Sequence, residues 1–265
     1  MSEKLKVAVI GLGEAGLLIA AGLQKQGADV IGYDQAKLKF SPVPLATSAE
    51  EAVKDADVVF SLNSATASIK FTTQIASHLK PGALYCDLNS GTPSLKKRLS
   101  QLVPEGSFVD VALMKPAPGL AENVPMSIAG PGAKRFIELF EGFGLDLTYV
   151  SDVAGDAAAR ELLSSLLTKG VAAVAIDYLW AAKALGLEDW ALEELKNEFD
   201  SSSSSTALRY LADTQRNAKR RQVEMADISE ILSGSGYEST MVHGIEATLT
   251  LIVHSKKVPF AQLDD

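Results

Sequence analysis

The chain has one cysteine, three histidines and more acidic than basic side chains. A single cysteine cannot close an internal disulfide, which points to a reducing, cytoplasmic setting. Cys86 lies in the apolar run Ala83-Leu84-Tyr85-Cys86 and reads as a small buried hydrophobe rather than a reactive thiol. His78, His243 and His254 are far apart and have no cysteine companions, so no metal site is expected. With 25 Lys and Arg against 33 Asp and Glu, the net charge of −8 argues against nucleic acid as a main partner. The N-terminus runs straight into an apolar strand. It shows neither a secretory h-region nor a transmembrane run, so no membrane partner is expected. A chain of 265 residues, 47% apolar and 22% charged, can bury a large core in one or two domains.

The most informative segment is Lys6-Val7-Ala8-Val9-Ile10-Gly11-Leu12-Gly13-Glu14-Ala15-Gly16. A short apolar strand enters G-x-G-x-x-G, and an apolar-periodic helix follows at once (Leu17, Leu18, Ala20, Ala21, Leu23). A second strand, 29–33, ends in Asp34. Each part has a physical role at a dinucleotide site. Gly11 allows the tight turn, Gly13 clears space for a pyrophosphate, and Gly16 lets the helix pack on the strand. The loop residues Leu12, Glu14 and Ala15 offer backbone N–H groups and a positive helix end to the phosphates. Asp34 can accept from a ribose diol and would repel a 2′-phosphate, and Gln35 adds no positive charge beside it. NAD is therefore the expected cofactor, with NADP kept open by the nearby Lys37 and Lys39. Leu62, Asn63 and Ser64 follow another strand and are expected along the cofactor. A glycine turn in some other α/β unit is the plain alternative.

Strands are expected at 5–10, 29–33, 57–62, 83–88, 107–112 and 126–129, and helices at 14–26, 48–55, 65–79, 92–102 and 133–142. This alternation predicts an α/β fold, a Rossmann-type doubly wound parallel sheet over residues 1–151. Residues 152–265 read as an all-α domain for substrate binding and dimerisation. Its first helix, 154–186, is apolar almost all round from Gly170 to Ala182, apart from Asp177 and Tyr178. Such a helix must be buried on most sides. A second copy of the chain is the expected cover, giving a homodimer. Asp177 and Tyr178 suggest interhelical hydrogen bonding at that seam. Further helices are expected at 188–199, 206–232 and 238–254, and the serine run 201–205 as a solvated helix link or N-cap region.

A strand-first dinucleotide half followed by a helical half resembles the β-hydroxyacid dehydrogenases, the superfamily of 3-hydroxyisobutyrate and 6-phosphogluconate dehydrogenases. Gly11, Gly13 and Gly16 match the family's first motif. Asp87-Leu88-Asn89-Ser90-Gly91-Thr92-Pro93 looks like its D-x-S-T-x-x-P substrate loop, with Asn89 where serine is usual. Asp110-Val111-Ala112-Leu113-Met114-Lys115-Pro116 takes the place of D-A-P-V-S-G-G, with Lys115 and Pro116 replacing the glycines. The resemblance implies that Asn89, Ser90, Gly91, Thr92 and Lys115 meet the substrate. It also implies a catalytic helix of the form G-x-G-x-x-x-K-x-x-N. Here that segment is Gly155-Asp156-Ala157-Ala158-Ala159-Arg160-Glu161-Leu162-Leu163-Ser164, which puts Glu161 at the lysine position, or Arg160 if the alignment slips by one. Thr168-Lys169-Gly170 looks like a branch whose C-terminal domain is described only as of unknown function. Imine reductases of the same superfamily also lack the lysine.

Hydride transfer to C=O or C=N needs a proton source beside the heteroatom. Glu161, Lys169, Asp177 and Tyr178 are the candidate donors, with Ser90 as a hydroxyl close to the chemistry. Glu161 must carry a proton to act; otherwise it is a surface partner of Arg160 or Lys169. Lys169 lies about two turns further on, roughly 80° round the helix, and can face a cleft or snorkel at the helix edge. Ser90 and Thr92 follow a strand C-terminus, where ligands bind in open α/β sheets, although Thr92-Pro93 also starts a helix well. The basic run Arg216, Lys219, Arg220, Arg221 is a solvated helix face or a contact for an acidic substrate group. The expected activity is oxidoreduction of a small polar substrate of the hydroxy-acid/keto-acid type, in a cleft between the domains. Imine reduction and a non-catalytic dinucleotide-binding sensor are the alternatives.

Overall fold

The computed structural model describes residues 4–36, 38–63, 65–114, 124–200, 203–234 and 236–255. The chain divides into two compact units, Met1–Leu166 and Leu167–Asp265.

The first unit is built on a seven-stranded sheet: β1 (Lys6–Ile10), β2 (Asp29–Tyr33), β3 (Val58–Ser61), β4 (Leu84–Asp87), β5 (Phe108–Leu113), β6 (Met126–Ala129) and β7 (Leu147–Ser151). Its order is β2-β1-β3-β4-β5-β6-β7. The chain therefore leaves β1 on one side for β2 and returns on the other for β3, which makes the C-terminal ends of β1 and β3 the switch point where open α/β sheets bind ligands. Five helices pack on this sheet: α1 (Glu14–Lys25), α2 (Ala49–Val53), α3 (Ala65–Ile75), α4 (Pro93–Ser100) and α5 (Ala133–Phe140).

The apolar strands face two cores because alternate side chains point to opposite faces. Val7, Val9, Val58, Phe60, Leu84, Cys86, Val109 and Val111 pack with Ile19, Ala20 and Leu23 of α1 and Phe136 and Phe140 of α5. Ala8, Ile10, Val59, Tyr85 and Phe108 pack on the other face with α2, α3 and α4 through Ala52, Val53, Phe71, Ile75 and Leu99. Phe60 meets Phe136 and Phe140 edge-on, at centroid separations of 5.9 and 5.6 Å. Cys86 is fully buried, and that burial pushes its thiol well above the ordinary range, which fits a packing role.

Two features depart from the expected parallel sheet. β6 runs antiparallel to β5, and β7 is an additional edge strand that pairs parallel to β6. The sequence of the link between β5 and β6 carries Pro116, Pro118 and Gly119. β7 alternates poorly, with Thr148 and Tyr149 both exposed, so it gives little period-2 pattern to read.

The long helix α6 (Asp156–Ala184) begins in the first unit and continues into the second. The second unit adds α7 (Glu188–Asp200), α8 (Ser203–Gly234) and α9 (Thr240–Ser255), and α8 bends at Asn217 (φ −118°, ψ 16°). Asp177 is buried and accepts hydrogen bonds from the Tyr237 hydroxyl at 2.6 Å and from the Ser239 hydroxyl. Asp177, expected to bond between helices at a dimer seam, bonds instead within one chain to the turn between α8 and α9, and the buried Tyr178 hydroxyl has no hydrogen-bond partner among the described residues. The hydrogen bond to Asp177 pushes the Tyr237 phenol up to about 12. Among the described residues no helix is long and apolar enough to cross a membrane. α6 nonetheless leaves Leu163, Leu167, Val171 and Val174 exposed at helical spacing.

Candidate active site

The glycine loop has the shape a dinucleotide needs. Gly11 takes φ +91°, and a Cβ there would lie 2.3 Å from the Leu62 carbonyl oxygen at the end of β3. A Cβ on Gly16 would lie 1.9 Å from the Gly11 carbonyl oxygen, so the helix reaches the strand only because Gly16 has none. Gly13 caps α1 without any side chain, and a Cβ there would meet nothing within 4 Å. Open space therefore lies at the N-terminus of α1, where backbone N–H groups and the helix dipole favour an anion. These residues fit a pyrophosphate.

Asp34 ends β2 and is half-buried. Its Oδ2 accepts from the Leu12 N–H at 2.6 Å and its Oδ1 from the Ala36 N–H at 2.8 Å. The carboxylate is thus oriented by the glycine loop itself and keeps further lone pairs for a ribose diol. The Leu12 side chain is buried over Gly32 and belongs to the core; only its backbone faces the site. Glu14 is exposed and Ala15 half-buried in the first turn of α1. Leu62 lies against Gly11, and the Asn63 amide donates to the Ser61 hydroxyl at 3.2 Å. Lys37, Ser64 and Lys115 lie outside the described residues, as does the side chain of Lys169.

The loop after β4 is the second part of the site. Ser90 is exposed, and its hydroxyl donates to Glu161 Oε1 at 2.5 Å. Glu161, half-buried, projects from the second turn of α6. The two residues singled out from separate motifs therefore meet within the first unit. Thr92 serves the fold instead. Its hydroxyl accepts from the Leu95 N–H at 3.2 Å, with Pro93 in the first helical turn, so it caps α4. Gly91 is half-buried over Leu95. Asn89 is buried, and its amide donates to Asp87 Oδ1 at 2.5 Å and to the Ser61 hydroxyl at 3.4 Å. Asn89 Oδ1 has no hydrogen-bond partner among the described residues.

Beneath this loop lies a group that sequence reasoning missed. Lys96 is 1% exposed, and its ammonium lies 2.7 Å from Asp87 Oδ2 and 3.1 Å from Asp110 Oδ1. Both ion pairs are poorly aligned as hydrogen bonds; the well-aligned one goes from Lys96 Nζ to the Asp87 carbonyl at 2.9 Å. Asp110 Oδ2 in turn accepts from the Gly155 N–H at 3.0 Å and the Ala158 N–H at 3.1 Å, at the start of α6. Burial, partly offset by Lys96, raises the Asp87 carboxyl above its ordinary 3.8, as expected where one ammonium serves two buried carboxylates. A signal for Lys96 was present: it shares the inward face of α4 with Leu99, where a lysine needs a partner. Among the described residues no cluster of His, Cys, Asp and Glu could hold a metal.

Comparison with known proteins agrees with this geometry. Residues 6–113 match the NAD binding domain of 6-phosphogluconate dehydrogenase, and residues 182–252 match a domain of unknown function, DUF1932. A conserved hypothetical protein from Sinorhizobium meliloti 1021 is 28% identical, with 100% of this chain and 93% of that one covered and a TM-score of 0.61. A conserved protein described as structurally similar to 3-hydroxyacid dehydrogenases is 26% identical over 96% of this chain and 100% of its own, with a TM-score of 0.62. An imine reductase from Myxococcus stipitatus shares the fold at 16% identity. Its V8 variant in complex with NAD+ gives a TM-score of 0.80 over 96% of this chain and 95% of that one. The same enzyme in complex with NADP+ gives 0.79 over the same shares. The dinucleotide the loop is shaped for is therefore NAD(P). Residues 6–113 thus match an NAD-binding domain of the 6-phosphogluconate dehydrogenase kind and residues 182–252 a DUF1932 domain, in the order expected from the resemblance.

Proposed function

We propose that the protein is an NAD(P)-dependent oxidoreductase acting on a small polar substrate of the hydroxy-acid/keto-acid type, with Ser90 and Glu161 handling the proton. The observation that carries this reading is the 2.5 Å contact between Ser90 Oγ and Glu161 Oε1, at the C-terminal edge of the same sheet as the glycine loop. The nicotinamide, when bound, supplies or accepts the hydride. The chain's own residues do the rest. The glycine loop seats the pyrophosphate and Asp34 takes the ribose diol. The exposed Ser90 hydroxyl can donate to a substrate oxygen and be reprotonated by Glu161, since the same short contact serves either donor direction. In the oxidative direction the proton runs back through Ser90 to the Glu161 carboxylate.

The same pair supports a second reading, C=N reduction. An imine carries its own proton as an iminium cation, and an anionic carboxylate beside it favours that charged form. In that case Glu161 acts as a counter-charge rather than as a donor.

The exposed stripe Leu163, Leu167, Val171 and Val174 supports a homodimer covering α6. Purified protein with NADH and a panel of small 2-keto acids and cyclic imines tests the activity. Oxidation of NADH by one class selects between the readings. Tight NADH binding with no oxidation across both classes favours a dinucleotide-binding sensor instead.

A further inference from the structure

Ser90 and Glu161 sit on different elements, and neither residue's local sequence fixes their separation. What joins the two elements lies underneath. Asp87, three residues before Ser90, meets Lys96 through both its carboxylate and its carbonyl. Lys96 reaches across to Asp110 on β5, and Asp110 holds the N–H groups of Gly155 and Ala158. Ala158 is three residues before Glu161, just under one helical turn. A second contact pins the same helix start. Gly155 takes φ +103° and lies so close to Pro93 that a Cβ would stand 2.8 Å from the Pro93 carbonyl oxygen and 2.9 Å from its Cα.

We propose that Lys96 is a positioning residue which, anchored between Asp87 and Asp110, sets the contact between Ser90 and Glu161; this rests on the reading of that pair as the proton-handling groups. Lys96 touches neither of them, so it takes no part in proton transfer. Its use is geometric. A buried ion cluster adds little stability over apolar packing of the same volume, but it holds one arrangement, because any displacement leaves a buried charge without its counterpart. Lysine suits the position because one ammonium can hydrogen-bond the Asp87 carbonyl while its charge lies between two carboxylates that diverge.

The test reads the pair without any turnover. In protein labelled with carboxyl-13C glutamate, the Glu161 resonance is identified by its loss in Glu161→Gln. Ser90→Ala then gives the displacement caused by losing the hydrogen bond. The variant Lys96→Met/Asp87→Asn removes one positive and one negative charge, so the cluster keeps its net charge. The expected result is a folded double variant whose Glu161 resonance moves by the full Ser90→Ala displacement. A folded double variant with the resonance at its parental position overturns the proposal, even if its melting temperature falls. A resonance that Ser90→Ala leaves unmoved overturns it as well, because the pair would not form. Asp110→Asn covers failure of the double variant to fold. It keeps the Lys96–Asp87 pair and an amide oxygen for α6, and is expected to move the resonance part of the way; no movement there overturns the proposal. Failure of the hydride-transfer reading shows separately, as absence of NADH oxidation by the parent protein.

Discussion

Ser90 Oγ lies 2.5 Å from Glu161 Oε1 although 71 residues separate them in sequence. One comes from the loop that follows β4 and the other from the second turn of α6, so the sheet edge and the long helix contribute one group each. On the proposed function, this pairing of a hydroxyl with a carboxyl is what would move the proton during hydride transfer.

Gly13 separates cofactor binding from folding. Its φ of −69° suits any residue, and an added Cβ meets nothing within 4 Å. Gly13→Ala should therefore melt at the parental temperature while occupying the space meant for the pyrophosphate. NADH affinity should fall tenfold or more, about 1.4 kcal/mol. Calorimetric titration beside thermal melting checks both halves. Parental NADH affinity in the variant would mean that the pyrophosphate lies elsewhere.

Asp34 is expected to set the choice of cofactor. A carboxylate held at the end of β2 by the Leu12 and Ala36 amides repels a 2′-phosphate and accepts from a 2′-hydroxyl. Competitive titration should show NADH binding about tenfold or more tighter than NADPH, about 1.4 kcal/mol. Asp34→Ser should narrow that gap and weaken NADH binding, since it also loosens the glycine loop. A clear preference of the parent for NADPH contradicts this role.

The apolar face of α6 predicts association. Leu163 and Leu167 are 67% and 68% exposed, which is costly for leucines repeated along one helix. Sedimentation at micromolar concentration should show a dimer, and the buried interface should exceed about 2,000 Å² as in obligate assemblies. Leu163→Asp/Leu167→Asp should shift the population toward monomer. A well-folded parental monomer at that concentration would show that nothing covers this face.

The raised Asp87 carboxyl gives a pH dependence of known sign. A group that binds its proton more tightly folded than unfolded contributes stability that is full below its ordinary 3.8 and is lost as pH rises through the higher folded value. Asp87→Asn removes that contribution and keeps an acceptor for the Asn89 amide. The melting temperature of the parent minus that of Asp87→Asn should fall as pH is raised from about 4. A difference that stays flat or rises with pH would place the burial cost on another group.

Much of the fold is legible in the sequence because its patterns are local. Lys6–Ile10 entering the three glycines fixes strand, turn and helix by steric need alone, and the structure reproduces each step. The two-faced strands follow from buried β-branched runs such as Val58 and Val59. β7 is not legible because an edge strand with Thr148 and Tyr149 both exposed has no inward stripe. Nor is the antiparallel direction of β6, which depends on the connection rather than on the strand. Glu161 and Ser90 are each visible through motif resemblance, but their contact is not, since it depends on how α6 is anchored. Lys96 is hidden for the same reason: its partners stand on β4 and β5, and only the sheet brings Asp87 and Asp110 together around it.

That Glu161 manages the proton during hydride transfer is tested most directly by Glu161→Gln. Glutamine keeps the shape and can still accept from Ser90, but it has no transferable proton. Single-turnover oxidation of bound NADH should be measured with the keto acid or imine that the parent reduces, with Lys169→Met alongside. The account predicts a loss of about 10²–10⁴-fold in the transfer rate of Glu161→Gln, the usual cost of removing one general acid, with NADH affinity unchanged. Lys169→Met should transfer hydride at the parental rate. Parental transfer by Glu161→Gln together with loss in Lys169→Met would contradict the account and give the proton to the lysine two turns further along α6.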